Sequence, residues 1–304
     1  MKIRSQVALL GVVLAASLPA CGSDSSDTQP AAGSGGGDAG SDASTDAAGE
    51  LDGATGTPCG SFFCGPLEQC FNNQLCTARQ VPVTGGYSID ATEVTRDQYN
   101  AWLGSKPASA GQPSFCAGND TFEPDTATQE TGCAPSTMPS GTQGNYPVVC
   151  VDWCDAFAYC KAIGKRLCGK IGGGANDFGD CANPATSQWF NACSSNGQND
   201  FPYGDTYDGK LCNGNDNAGG SMLPVGSLAG CQSSVAGFEG VYDLSGNVLE
   251  WEDSCDAANG AQDLCHNRAG ASFNTPDYLR CDVDGSDKRG SHNGGIGFRC
   301  CSEP

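Results

Sequence analysis

The chain has 304 residues, a formal net charge of −20, 44 glycines and 20 cysteines. Such acidity disfavours nucleic acid and anionic membrane surfaces as partners, and 20 cysteines point to an oxidising compartment and a disulfide framework. Only 38% of residues are hydrophobic, and the glycine excess argues for a loop-rich fold of one or two domains rather than long helices. No stretch of about 18 apolar residues is present, so no segment reads as a membrane-spanning helix.

Lys2 and Arg4 precede a short apolar run from Val7 to Leu18. This is the charge and length pattern of a secretory signal, here residues 1–20. It ends in Leu18-Pro19-Ala20-Cys21, which resembles the lipobox of bacterial lipoproteins. That resemblance implies that Cys21 becomes a lipidated first residue and that lipid alone attaches the chain to a membrane. Gly22 after it implies the outer membrane of a Gram-negative bacterium. Residues 21–57 lack aromatic and basic side chains and carry Asp24, Asp27, Asp38, Asp42, Asp46, Glu50 and Asp52. Such a segment buries too little apolar surface to offset chain entropy, so it is expected to be an extended tether.

Residues 58–77 hold Cys59, Cys64, Cys70 and Cys76. So short a segment has no core of its own and needs two disulfides, in any of three pairings, giving a small knot that acts as a spacer. A zinc site is disfavoured by the absence of a C-x-x-C pair and of a nearby histidine. Taking Cys21 out of the 20 leaves an odd number, so one thiol is expected to stay free unless a bridge joins two chains.

The large domain spans 81–304. Tyr87 and Ile89 alternate as in an entering strand, and Thr95 with Gln98 forms a capping box for a helix presenting Tyr99, Trp102 and Leu103 inward. A Gly/Pro/Ser-rich insertion follows from Lys106 to Asn145, with Cys116 and Cys133 as staples. Asp152 caps a second helix in which Trp153, Phe157, Cys160 and Ile163 recur at helical spacing before Gly164. In GVYDLSGNVLEW, Gly240 to Trp251, apolar Val241, Tyr242, Leu244, Val248, Leu249 and Trp251 alternate with oxygen-bearing Asp243, Ser245, Asn247 and Glu250. Two carboxylates and exposed carbonyls in a short loop suit a hard cation, which takes about six to eight oxygens. An ordinary turn with solvated acids fits the spacing equally well. Arg268, Arg280 and Arg299 are expected to pair internally with acids.

The string Gly240 to Trp251 resembles the G-x-Y-D-x-x-G-N-V-x-E-W signature of the formylglycine-generating enzyme (sulfatase-modifying factor) family. Four further segments resemble that family's motifs in order: GYSIDATEVT, PVVCVDWCDAFAYCKAIGKRL, FPYGD, and RAGASF followed by GGIGFRCC. The likeness runs from Tyr87 to Cys301; Cys168 departs from it, standing where the family has Pro. It implies an irregular, loop-rich and here disulfide-rich α+β fold related to C-type lectins. It also implies a Ca²⁺ site made by the Asp243 and Glu250 side chains with the Gly246 and Val248 carbonyls, and a second from Asn213, Gly214, Asn217 and Gly219. Oxidase members bind Cu⁺ through a C-x-x-x-x-C pair between the G-G-S and G-F-R motifs and use it with O₂ on sulfatase cysteines; soft thiolates suit that ion. The matching segment here, Gly270 to Gly297, contains Cys281 alone, and Cys59 and Cys64, which have the spacing, lie in the knot. Related sulfoxide synthases need three histidines for iron, and only His266 and His292 exist. The expectation is therefore a non-catalytic, calcium-stabilised binding or scaffold module for a protein, peptide or glycan. The alternative is a copper oxidase that recruits Cys281.

Overall fold

The computed structural model describes residues 56–126, 132–133 and 144–304. The signal, Cys21 and nearly all of the tether therefore lie outside the described residues. Two hairpins come first: β1 (Thr57–Cys59) pairs with β2 (Phe62–Cys64), and β3 (Glu68–Phe71) with β4 (Leu75–Ala78). The bridges Cys59–Cys70 and Cys64–Cys76 select one of the three possible pairings.

The knot is not a spacer. Phe71 and Leu75 pack against the main core, Glu68 Oε1 accepts from Gln98 Nε2 at 2.9 Å, and a Cβ at Gly226 would lie 2.4 Å from Leu67 Cδ1. Two disulfides make the hairpins rigid, and their few large apolar residues then have only the neighbouring domain to bury against.

Two four-stranded sheets carry the domain. One has the order β5 (Gln80–Val83), β6 (Tyr87–Asp90), β12 (Cys300–Ser302), β7 (Arg166–Leu167). The other runs β10 (Asp284–Lys288), β9 (Leu264–Arg268), β8 (Leu249–Cys255), β11 (Ile296–Phe298), the last pair parallel. Helix α1 (Arg96–Gly104) starts at the expected Thr95–Gln98 capping box. Helix α2 (Trp153–Ala162) starts at a second box made by Asp152 and Asp155. Short α3 (Gln188–Cys193) and α4 (Asn215–Ala218) follow. One core gathers Tyr99, Trp102, Trp153, Tyr159, Trp251 and Phe298 between the two long helices and β8–β11. A second gathers Tyr87, Ile89, Trp189, Phe190, Val241 and Leu244.

Covalent ties cross both cores. Cys160–Cys300 and Cys168–Cys301 fasten adjacent residues of β12 to α2 and to the end of β7. They close sequence separations of 140 and 133 residues, each removing on the order of 4–5 kcal/mol of unfolded-chain entropy. Cys168, the departure from the family motif, thus has a structural use. Cys116 and Cys133 pair with Cys154 and Cys150, so each pins the insertion to the entry of α2. Among the described residues no cysteine is free, and Cys181 is oxidised as well. The single free thiol expected from parity is therefore not found; that expectation withdrew Cys21 from disulfide chemistry, and Cys21 lies outside the described residues. No helix among the described residues is long and apolar enough to cross a membrane.

Candidate functional site

The structure brings the two expected calcium loops back to back. Asn213 and Gly246 form a parallel bridge, and the Asn247 backbone N–H donates to the Asn213 carbonyl at 2.8 Å. Gly246 is required there: its φ is +80°, and a Cβ would lie 2.4 Å from the Asn213 carbonyl oxygen. Asp243 (φ 61°) and Asn247 (φ 62°) take the same left-handed conformation, which short polar side chains tolerate best. The Asn247 side chain joins several segments: its Nδ2 donates to Glu93 Oε1 at 3.0 Å, and its Oδ1 accepts from Leu223 N and Asn213 Nδ2.

Glu250 faces inward onto Arg299. Its Oε1 accepts from Arg299 Nη2 at 2.7 Å; its Oε2 accepts from Arg299 Nε at 2.7 Å and from Trp189 Nε1 at 2.9 Å. Arg299 also donates to the carbonyls of Asp90 and Tyr242, and both members of the pair are within 1% of complete burial. Asp243 Oδ2 accepts from Gly226 N at 2.6 Å. Burial pushes the Asp243 carboxyl up to about 6. Burial and then the Asp243 charge push Glu93 well above the usual carboxylate range.

The implied Ca²⁺ does not fit this set. Such an ion needs about six to eight oxygens, and both Glu250 oxygens are held by a guanidinium and an indole N–H. The second set is not gathered either. Asn213 Nδ2 points at Asn247 and Ser221, whereas exposed Asn217 donates its amide back to the Cys212 carbonyl within the short turn that α4 makes. The Gly214 carbonyl accepts from Asn217 N, and Gly219 (φ 60°) ends that turn. Two acceptors in this region, Glu93 Oε2 and Asn213 Oδ1, are buried without a hydrogen-bond partner.

Cys281 is bonded to Cys193 and fully buried. The copper site implied by the resemblance therefore has no thiolate to offer, since Cu⁺ of this kind needs two. His266 is buried, with Nε2 2.9 Å from the Phe178 carbonyl, Nδ1 3.1 Å from Asp284 Oδ2 and its ring stacked on Phe178. Although burial opposes its charge, the Asp284 carboxylate and the Phe178 carbonyl hold its pKa above the usual value. His292 lies 3.9 Å from Asp155 Oδ2. The expected internal pairing of arginines is present: Arg299 with Glu250, Arg280 with Asp200 and Asp282, and Arg268 with Glu252.

Sequence reasoning did not find the cleft that opens beside Phe273. It encloses about 470 Å³, with Tyr146, Met222, Asn247, Ser272, Phe273 and Gly295 among its walls, and Tyr146 is its only ionisable side chain among the described residues. The Phe273 ring lies against the Gly295 backbone, where a Cβ would come within 2.9 Å. The signal was the aromatic after Ser272 in RAGASF; that it stays 48% exposed could not be read from sequence.

Several solved structures are similar to this chain. The crystal structure of CarF is 23% identical over 72% of this chain and 86% of that one, with a TM-score of 0.46. Treponema denticola variable protein 1 is 20% identical over 72% and 84%, with a TM-score of 0.45. PvdO from Pseudomonas aeruginosa is 19% identical over 72% and 80%, with a TM-score of 0.47. No curated protein matches. The model of the sulfatase-modifying factor enzyme 1-like domain matches residues 40–304. With its mixed, loop-rich α+β architecture and its ordered motifs, the chain belongs to the sulfatase-modifying factor family.

Proposed function

We propose that this chain is a non-catalytic recognition or scaffold module of the family, working outside the cytoplasm. The observation that carries this reading is the Cys193–Cys281 bridge. It consumes the single cysteine in the segment where oxidase members hold copper, and no other cysteine among the described residues is free. The nine disulfides among the described residues are compatible with an oxidising compartment. The Cys21 lipobox supports attachment through lipid at an outer membrane. The cleft beside Phe273 is the surface proposed to receive a peptide, protein or glycan ligand, because it combines an exposed ring with amide and hydroxyl groups. Metal is not part of this reading.

The test is to incubate copper-loaded protein, mildly reduced, with O₂ and a peptide carrying C-x-P-x-R, and to look for the aldehyde. No product above a copper-only control is expected. Turnover that disappears in Cys281→Ser would establish the oxidase instead.

A further inference from the structure

We propose that Arg299 takes the place of a calcium ion at the 243–250 loop, so that this loop is closed by an internal cation and the fold does not depend on metal there. A Ca²⁺ and a guanidinium offer alternative ways to neutralise a buried carboxylate: the first gathers oxygens, the second donates N–H groups in a planar fork. At Glu250 the fork is already in place. Arg299 Nε and Nη2 each lie 2.7 Å from a different carboxylate oxygen, and Trp189 Nε1 adds a third donor at 2.9 Å. The remaining Arg299 donors reach the carbonyls of Asp90 and Tyr242, so the same side chain ties β6 to the loop.

Moving Glu250 onto a metal would strand the guanidinium, fully buried, on two carbonyls. Asp243 is committed in a different way. Its Oδ2 accepts from Gly226 N at 2.6 Å.

The experiment uses the full chain, purified without chelator, with the metal itself as probe. Elemental analysis should find no stoichiometric calcium, and melting temperatures in millimolar CaCl₂ and in EGTA should agree within about 1 °C. Arg299→Gln frees Glu250; it should melt lower and gain a calcium-dependent rise of several degrees, on the order expected for a ligand in large excess over Kd. Should that variant fail to fold at all, the wild-type analysis still decides. Bound calcium that survives Asp243→Asn but is lost in Asn213→Ser belongs to the neighbouring turn and leaves Glu250 with Arg299. A wild-type melting temperature that falls in EGTA, together with calcium lost in Asp243→Asn, would overturn the proposal.

Discussion

Between Gly240 and Trp251 every residue is buried or half-buried, and the polar side chains turn inward: Asp243 to Gly226, Ser245 to the Leu279 carbonyl, Asn247 to Glu93, Glu250 to Arg299. The stretch from Ala271 to Arg280 lies against it and does the reverse, leaving Phe273 48% and Tyr278 47% exposed. The first stretch is a family motif, and the second starts inside another, RAGASF, which ends at Phe273. The difference separates what makes the fold from what the fold displays. A motif full of oxygens reads as a metal site until its partners are known, whereas a single aromatic in a glycine-rich segment reads as core until its exposure is known.

The comparison is broken most directly at Arg299. Arg299→Met leaves Glu250 as an uncompensated buried charge and should cost about 3–5 kcal/mol in denaturant unfolding. A loss under about 1 kcal/mol would mean that the inward stretch does not depend on this pair.

A pH series gives an intermediate effect. Burial, with the Arg166 charge opposing it, pushes the Asp253 carboxyl up to about 6. A raised folded-state pKa means that the native form holds the proton more tightly. The contribution is full below the unfolded value near 4 and is lost as pH rises through about 6. His266 acts in the same direction at higher pH, because its folded pKa is also raised; its share is full below about 6.5 and lost as pH rises through the folded value. Melting temperature should therefore climb on mild acidification, contrary to a protein held by surface carboxylate pairs. Asp253→Asn should flatten the window between about 4 and 6 by roughly 2–3 kcal/mol. An unchanged slope in that variant would show that another group titrates.

The smallest expected effect on stability sharpens the other side. Phe273→Ala should change unfolding free energy by no more than about 0.5 kcal/mol, since a half-exposed ring contributes little to the core. The same substitution should abolish capture of any ligand that protects the cleft in hydrogen exchange. Retained capture would move recognition away from Phe273.

Much of the fold was legible because its signals are local. Thr95–Gln98 marks a helix start within four residues, and Tyr87 and Ile89 report a strand by alternation alone. What was not legible depends on residues far apart in sequence. Nothing near Glu250 announces that Arg299 will meet it, so two acids in a loop were read as ligands. Nothing in the knot says that Phe71 will find the core near Gly164. Cysteine pairings were open for the same reason, and they now bear on the N-terminal expectation. Among the described residues nine bridges join 18 of the 20 cysteines, and Cys181 is oxidised too. A lipidated Cys21 leaves an odd number of cysteines, so it requires either a free thiol, found by thiol counting under denaturing conditions, or a bridge between chains, visible as a dimer on a non-reducing gel. A monomer with no free thiol and no lipid mass would remove the lipobox expectation.

Strand β12 enters the first sheet between β6 and β7, and its two cysteines meet partners more than 130 residues upstream. During synthesis, β6 therefore waits with an open edge, and Cys160 and Cys168 wait as thiols, while more than 130 residues pass. Any earlier cysteine that captures them makes a wrong bridge that must be undone by exchange. High contact order and reshuffling both slow assembly. The cell that makes this protein accordingly needs a disulfide isomerase as well as an oxidant, and a host that supplies only the oxidant should accumulate scrambled chains.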